Sequence, residues 1–174
     1  MNTYELKLRT CCFFGHRKIN ETELLKNKLY NSIENLIVNQ NVNIFLFGSK
    51  SQFDTLCLKT VTELKEKHPH IKRIYVRAAY QYIDDSYKNY LLESYDDTYY
   101  PLHIENAGKA SYVERNQEMI DKSKYCVIYY DENYLPKRQK NSKRDLVDYQ
   151  SKSGTKIAYD YAVRKGKTII NTKL

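Results

Sequence analysis

Apolar residues along the chain alternate between short continuous runs and helically spaced stripes. The run LRTCCFF (8–14) ends at Gly15-His16-Arg17 and predicts a buried strand followed by a turn. Asn20, with Glu23 three residues on, predicts the N-cap of a helix whose Leu25, Leu29, Ile33, Leu36 and Ile37 share one face. VNIFLF (42–47) is a second strand, broken by Gly48-Ser49-Lys50-Ser51. Phe53, Leu56, Cys57, Val61 and Leu64 then mark an amphipathic helix that ends near His68-Pro69. IKRIYVRA (71–78) completes a βαβαβ unit.

Past that unit the pattern weakens. Residues 80–110 read as an elaborated crossover, with Tyr87, Tyr90, Leu91 and Leu92 on a short helix and Tyr99-Tyr100-Pro101 closing it. Asn106-Ala107-Gly108 is a turn, and a polar-faced helix starts near Ser111. YCVIYY (125–130) is a strand buried on both sides. Ser153-Gly154-Thr155 opens a helix to about Arg164, Gly166 ends it, and KTIIN is a last strand. Five strands alternating with helices predict a three-layer, Rossmann-like α/β domain spanning 1–174, its sheet mostly parallel and its crossovers right-handed.

The 174 residues suffice for one full core. The four cysteines lack CxxC or Cys/His ligand spacing and read as structural thiols of a reducing compartment, so neither a metal nor a cofactor is expected. Glu5, Lys7 and Arg9 interrupt any signal-peptide core, and no apolar run has the length of a membrane span. The expectation is a cytoplasmic protein without a membrane partner. The net charge is +8, and the segment from Pro136 to Lys152 holds six basic residues against two acids. That basic loop or lid (132–152) suits anions; an A/T-biased, Lys-rich surface would look similar. Eighteen tyrosines without a tryptophan fit the same bias and are not read as base stacking.

Ligands of parallel sheets bind beyond the carboxyl ends of the strands, so the loops there carry the functional weight. Gly15, His16 and Arg17 place a small residue where a ligand can approach, beside an anion-capable guanidinium. Gly48, Ser49, Lys50 and Ser51 set two hydroxyls and an ammonium at a helix start, where free N–H groups favour phosphate. Asp54, one turn in, is placed to accept from a ribose hydroxyl. Ser153, Gly154, Thr155 and Lys156 repeat the design. Taken singly, each has an ordinary reading as a turn glycine, an N-cap or a dipole complement. Their convergence at three strand ends favours a site. With no Asp partner or nucleophile in view, His16 reads as a ligand-contacting or packing histidine.

GHRKI, FGSKSQFD and ENAGKASYVERNQEMIDKS with SGTKIAYDYA resemble the SLOG superfamily, in particular its YpsA-like branch, over nearly the whole chain. The resemblance implies a Rossmann-like fold and a nucleotide or nucleotide-derived ligand, such as an ADP-ribose-like or cyclic molecule. It also implies a homo-oligomer, dimer or tetramer, and roles that include antiviral signalling or counter-defence. The "lonely guy" phosphoribohydrolases of that superfamily carry an arginine and a glutamate that cleave an N-glycosidic bond. Glu114-Arg115-Asn116 matches their arginine motif and makes Arg115 the counterpart. Ala158 stands where the glutamate belongs. The resemblance therefore implies binding without that hydrolysis, with Arg115 neutralising charge, and Asn116 or Asp54 contacting sugar. Two alternatives stay open: a hydrolase using Glu114, Asp131 or Asp160, and a single-strand nucleic-acid binder acting through the basic 137–144 loop.

Overall fold

The computed structural model describes residues 2–136 and 152–173. The basic residues Lys137, Arg138, Lys140, Lys143 and Arg144, on which the lid and nucleic-acid expectations rest, lie outside the described residues.

The described elements run α1 (Thr3–Leu8), β1 (Thr10–Gly15), α2 (Glu23–Gln40), β2 (Ile44–Phe47), α3 (Gln52–Lys67), β3 (Lys72–Val76), α4 (Asp85–Leu92), β4 (Asp97–Tyr99), α5 (Lys109–Asp121), β5 (Tyr125–Tyr129), α6 (Gly154–Arg164) and β6 (Thr168–Asn171). The six strands form one sheet in the order β4-β3-β2-β1-β5-β6, and every pair is parallel. This is the expected Rossmann-like α/β fold, with one more strand than the apolar runs predict.

Side-chain alternation along the strands builds the three layers. Cys11, Phe13, Phe45, Phe47, Val127 and Tyr129 face α2 and α3, where Leu25, Leu29, Ile33, Phe53, Cys57, Val61 and Leu64 cover them. Cys12, Phe14, Leu46, Cys126 and Ile128 face the other way, against Met119 and Ile120 of α5 and Ala158 and Ala162 of α6. Strands buried on both faces have to be apolar throughout, which is why β1, β2 and β5 read as unbroken runs. All four cysteines are free thiols in this core.

Three boundaries differ from expectation. Helix α1, capped by a reciprocal Asn2–Glu5 box, takes up Leu8, so β1 starts at Thr10. The N-cap of α2 is Thr22, whose hydroxyl accepts from Leu25 N, rather than Asn20. The crossover after β3 contains α4 and the edge strand β4, paired to β3 through Ile74↔Asp97 and Val76↔Tyr99. Gly166 has the positive φ of 62° expected just past the end of α6.

Candidate functional site

Strand order reverses between β1 and β5, because β2, β3 and β4 extend the sheet on one side and β6 on the other. Such a reversal opens a crevice beyond the strands' carboxyl ends. The loops after β1, β2 and β5 and the starts of α3 and α6 meet there.

At the start of α3 the polar groups form a closed node. Ser51 Oγ caps the helix by accepting from Asp54 N at 3.1 Å and donates to Asp54 Oδ2 at 2.9 Å. Ser49 Oγ donates to the same carboxylate oxygen at 2.7 Å and accepts from Ser51 N at 3.0 Å. Gln52 N donates to Arg17 O at 3.0 Å, which joins the loops after β1 and β2. Asp54 is 2% exposed, and its Oδ1 has no hydrogen-bond partner among the described residues. Burial pushes its pKa up, against the pull of the two serine hydroxyls and of the Arg115 charge. The two hydroxyls expected to face a phosphate therefore hold Asp54.

Arg115, on α5, is 3% exposed and reaches across the sheet edge. Its Nη1 donates to Gly48 O and, at 3.3 Å, to Val76 O, while Nε donates to Asn116 Oδ1 at 2.9 Å. The guanidinium thus ties the ends of β2 and β3 to α5. It also fills the room that glycine leaves at position 48, where a Cβ would fall 2.6 Å from Arg115 Nε. Gly15 is explained in the same way, since a Cβ there would sit 2.5 Å from Phe53 Cδ1. Both glycines make room for the protein's own side chains.

His16 bridges the crevice. Its Nε2 accepts from Asp131 N at 2.9 Å, so the ring is neutral with its proton on Nδ1, and burial holds its pKa below the usual histidine value. That Nδ1 is buried without a partner among the described residues. The ring stacks on Tyr134, with centroids 4.1 Å apart, and lies 5.9 Å from Tyr130, which stacks in turn on Tyr159 of α6 at 4.6 Å. The apolar side of the crevice is thus aromatic, and Tyr130, Tyr134 and Tyr159 were not among the expected site residues. The sequence signal for Tyr130 and Tyr134 was the YDENY stretch (130–134) directly after a buried strand.

The start of α6 completes the wall. Ser153 Oγ caps Lys156 N at 3.1 Å, and helix geometry leaves the Gly154 and Thr155 amides without intrahelical acceptors. A Cβ on Gly154 would meet nothing within 4 Å. Lys156 Nζ sits 6.0 Å from the Tyr130 ring centroid and pairs with Asp160 at 3.0 Å. Asp131 Oδ1 accepts from Asn133 N at 3.0 Å.

His16, Asp131 and Ser153 to Lys156 thus border one crevice, and Gly48, Ser49, Ser51, Asp54, Arg115 and Asn116 form a linked node beside it. Arg17 is exposed, and Lys50 points away, 5.9 Å from the Tyr90 ring of α4. Two clefts open elsewhere. One of about 180 Å³ runs along Glu21, Lys50, Gln52 and Thr55, and one of about 310 Å³ at the opposite end of the sheet is lined by Asn35, Gln40, Lys124 and Tyr125.

The sequence profile YpsA, of the YspA SLOG family, matches residues 7–161. The chain belongs to the YspA SLOG family. Comparison with solved structures finds this YspA SLOG chain similar to DNA processing protein A from Helicobacter pylori, described for its single-stranded DNA binding mode. The TM-score is 0.56 at 14% identity, over 96% of this chain and 66% of that one. The likeness is one of fold, and the chain spans under two thirds of that protein's length. No curated protein matches the sequence. Family membership suggests binding of a nucleotide derivative, and among the described residues no helix is long and apolar enough to cross a membrane.

Proposed function

We propose that the protein binds a phosphate-bearing nucleotide derivative in the crevice between β1 and β5 and does not cleave it, acting as a sensor or a sequestering protein. The observation that carries this reading is the start of α6. Two helix amides without intrahelical acceptors, an unobstructed Gly154 and the Lys156 ammonium face the point where strand order reverses. A phosphate set there accepts from Gly154 N and Thr155 N. Tyr134, 42% exposed and stacked over the buried His16 ring, offers an aromatic face for the ring of a base, and the His16 Nδ1–H, without a partner among the described residues, is a donor held behind it. Arg115 and Asp54 support the adjoining loop and contribute charge.

The absence of hydrolysis is argued from Ala158, which is buried among apolar residues of the α6 layer. The other candidate acids are already engaged: Glu114 accepts from Asn106 at 2.7 Å, Asp160 pairs with Lys156, and Asp131 accepts from Asn133. As part of this reading we also propose self-association through the 80–102 region, where Tyr80, Tyr82, Tyr90 and Leu102 are exposed.

The test is mass spectrometry of small molecules released from protein purified natively from its own cells, with a thermal-shift screen of nucleotides and ADP-ribose-like compounds. A co-purifying phosphate-bearing nucleoside that stabilises the protein and survives prolonged incubation is the expected result. An empty protein unmoved by every compound overturns the reading, and turnover of the ligand overturns its non-catalytic part.

A further inference from the structure

The N-terminal edge of the sheet, opposite the crevice, carries charge that the site does not use. Arg9 precedes β1, Lys72 opens β3, Lys124 precedes β5 and Lys167 precedes β6. Backbone hydrogen bonds lay these segments side by side. Lys124 N donates to Lys7 O at 3.0 Å, Thr168 N to Lys124 O at 3.0 Å, Asn43 N to Arg9 O at 3.0 Å, and Lys72 N to Asn43 O at 2.8 Å. Neighbouring strands lie about 4.8 Å apart, so Arg9 and Lys7, Lys124 and Lys167 lie side by side before β1, β5 and β6, with Lys72 beyond them across the uncharged Asn43.

The row has little local compensation. Glu118 and Asp121, the acids nearest to it on α5, pair with Lys122 at 2.7 Å and Lys165 at 3.5 Å. Lys167 Nζ is fixed by the carbonyls of Ser123 at 2.7 Å and Asp121 at 3.3 Å. Burial and the adjacent Lys7 ammonium push the Lys167 pKa down to about 8, against the weaker opposing pull of Asp121.

We propose that this edge binds the phosphodiester backbone of a single-stranded nucleic acid, without reading bases, at the end of the sheet away from the ligand crevice. An extended line of cations suits a polymer of repeated anions. Lysines are depleted from protein–protein interfaces, whose energy comes from aromatic and arginine anchors, whereas phosphate contacts draw on lysine and counterion release. A single strand also adjusts its phosphate spacing to a fixed row, which a duplex does not.

The test is fluorescence anisotropy of the full chain with a labelled oligothymidylate over a range of salt. Wild type is expected to bind with log K falling against log salt by about 0.7 for each phosphate neutralised, and Lys7→Gln/Lys124→Gln/Lys167→Gln to shallow that slope by about 2. Over a rise from roughly 50 to 200 mM salt, wild type then loses about twenty-fold more affinity than the triple variant. Lys7→Gln/Lys124→Gln, which leaves the half-buried Lys167 tether intact, shallows the slope by about 1.4 and serves if the triple variant folds poorly.

Two variants separate this edge from the loop outside the described residues. Replacing Lys137, Arg138, Lys140, Lys143 and Arg144 together by glutamine is expected to leave the contribution of the edge in place. No binding by wild type at low salt, an unchanged slope in the edge variants, or displacement of the oligonucleotide by polyglutamate of equal charge at equal concentration overturns the proposal.

Discussion

Gly48 and Arg115 share one space: a Cβ at position 48 would lie 2.6 Å from the Arg115 Nε, and the same guanidinium donates to the Gly48 carbonyl. The arginine that family resemblance marks for ligand charge is, without a ligand, a strap between α5 and the ends of β2 and β3.

The strap makes a prediction about the unliganded protein. If Arg115 served ligand charge alone, replacing a buried cation by Met would relieve a desolvation cost and raise stability. As a strap, it leaves the Gly48 and Val76 carbonyls without their donor when removed, so Arg115→Met is expected to lower stability by about 2–3 kcal/mol in urea unfolding. Gly48→Ala should cost about 1–3 kcal/mol by displacing the same guanidinium. A more stable Arg115→Met protein sinks the strap.

Gly15 and Phe53 form a second contact of this kind, with the would-be Cβ 2.5 Å from the ring. Gly15→Ala is expected to destabilise by about 1–3 kcal/mol. Combining it with Phe53→Leu should give a non-additive cycle, because the smaller side chain relieves the clash as it opens a gap. Additive losses in denaturant melts would show that Gly15 is needed for something other than Phe53.

How far the sequence foretold this arrangement depends on where the deciding atoms lie. The runs at 10–15, 44–47 and 125–129 were legible because a strand covered on both faces has no polar positions, and α2 and α3 because their stripes are regular. β4 was not, since a three-residue edge strand of Asp, Thr and Tyr buries little and leaves no apolar run. α1 buries nothing either, and its one signal was the Asn2–Glu5 spacing. In the site, residue types at the strand ends were readable, but what fills the space beside Gly15 and Gly48 is set by Phe53 and Arg115 on other elements. His16 lacked a visible partner for a related reason: its partner is the backbone amide of Asp131, and a backbone group leaves no mark in sequence.

Asp96 predicts part of the acid limb of the stability curve. Burial opposes its charge, but hydrogen bonds from the Arg73 side chain and backbone, with the Arg73 charge and Lys65, outweigh burial and hold its pKa at about 2. A folded pKa below the unfolded value of about 3.9 gives stabilisation that is complete above the unfolded value and is lost as pH falls towards 2. The side chain is still 25% exposed, so about 1 kcal/mol is expected after screening. Asp96→Asn should flatten the wild-type loss between about pH 5 and 2, seen in urea midpoints. An unchanged acid limb would remove Asp96 from the account.

His16 acts at higher pH. Burial lowers its folded pKa, so its contribution is complete above the unfolded histidine value of about 6.5 and is lost as pH falls through the folded one. Protonation puts a hydrogen on Nε2 and breaks the bond from Asp131 N. His16→Phe keeps the stacking surface and removes both titration and acceptor. It should be less stable than wild type at pH 8 and lose less stability between about pH 7 and 5.5. Parallel pH curves for the two proteins would show that folding does not lower the His16 pKa.

Gly154 separates folding from binding more cleanly than any other site residue. Its φ is not in the left-handed region, and a Cβ there would meet nothing within 4 Å, so the fold does not require glycine at the first position of α6. Replacement by aspartate should be neutral or slightly stabilising, since the side chain removes backbone entropy from the unfolded chain and a carboxylate favours a helix N-terminus. That same carboxylate occupies the space proposed for the ligand phosphate and repels it. Gly154→Asp is therefore expected to keep its melting temperature and lose at least tenfold in affinity for whichever phosphate-bearing ligand shifts wild type, while Gly154→Ala retains most of it. Equal affinity of the aspartate variant and wild type, measured by calorimetry, would show that the start of α6 does not hold the phosphate.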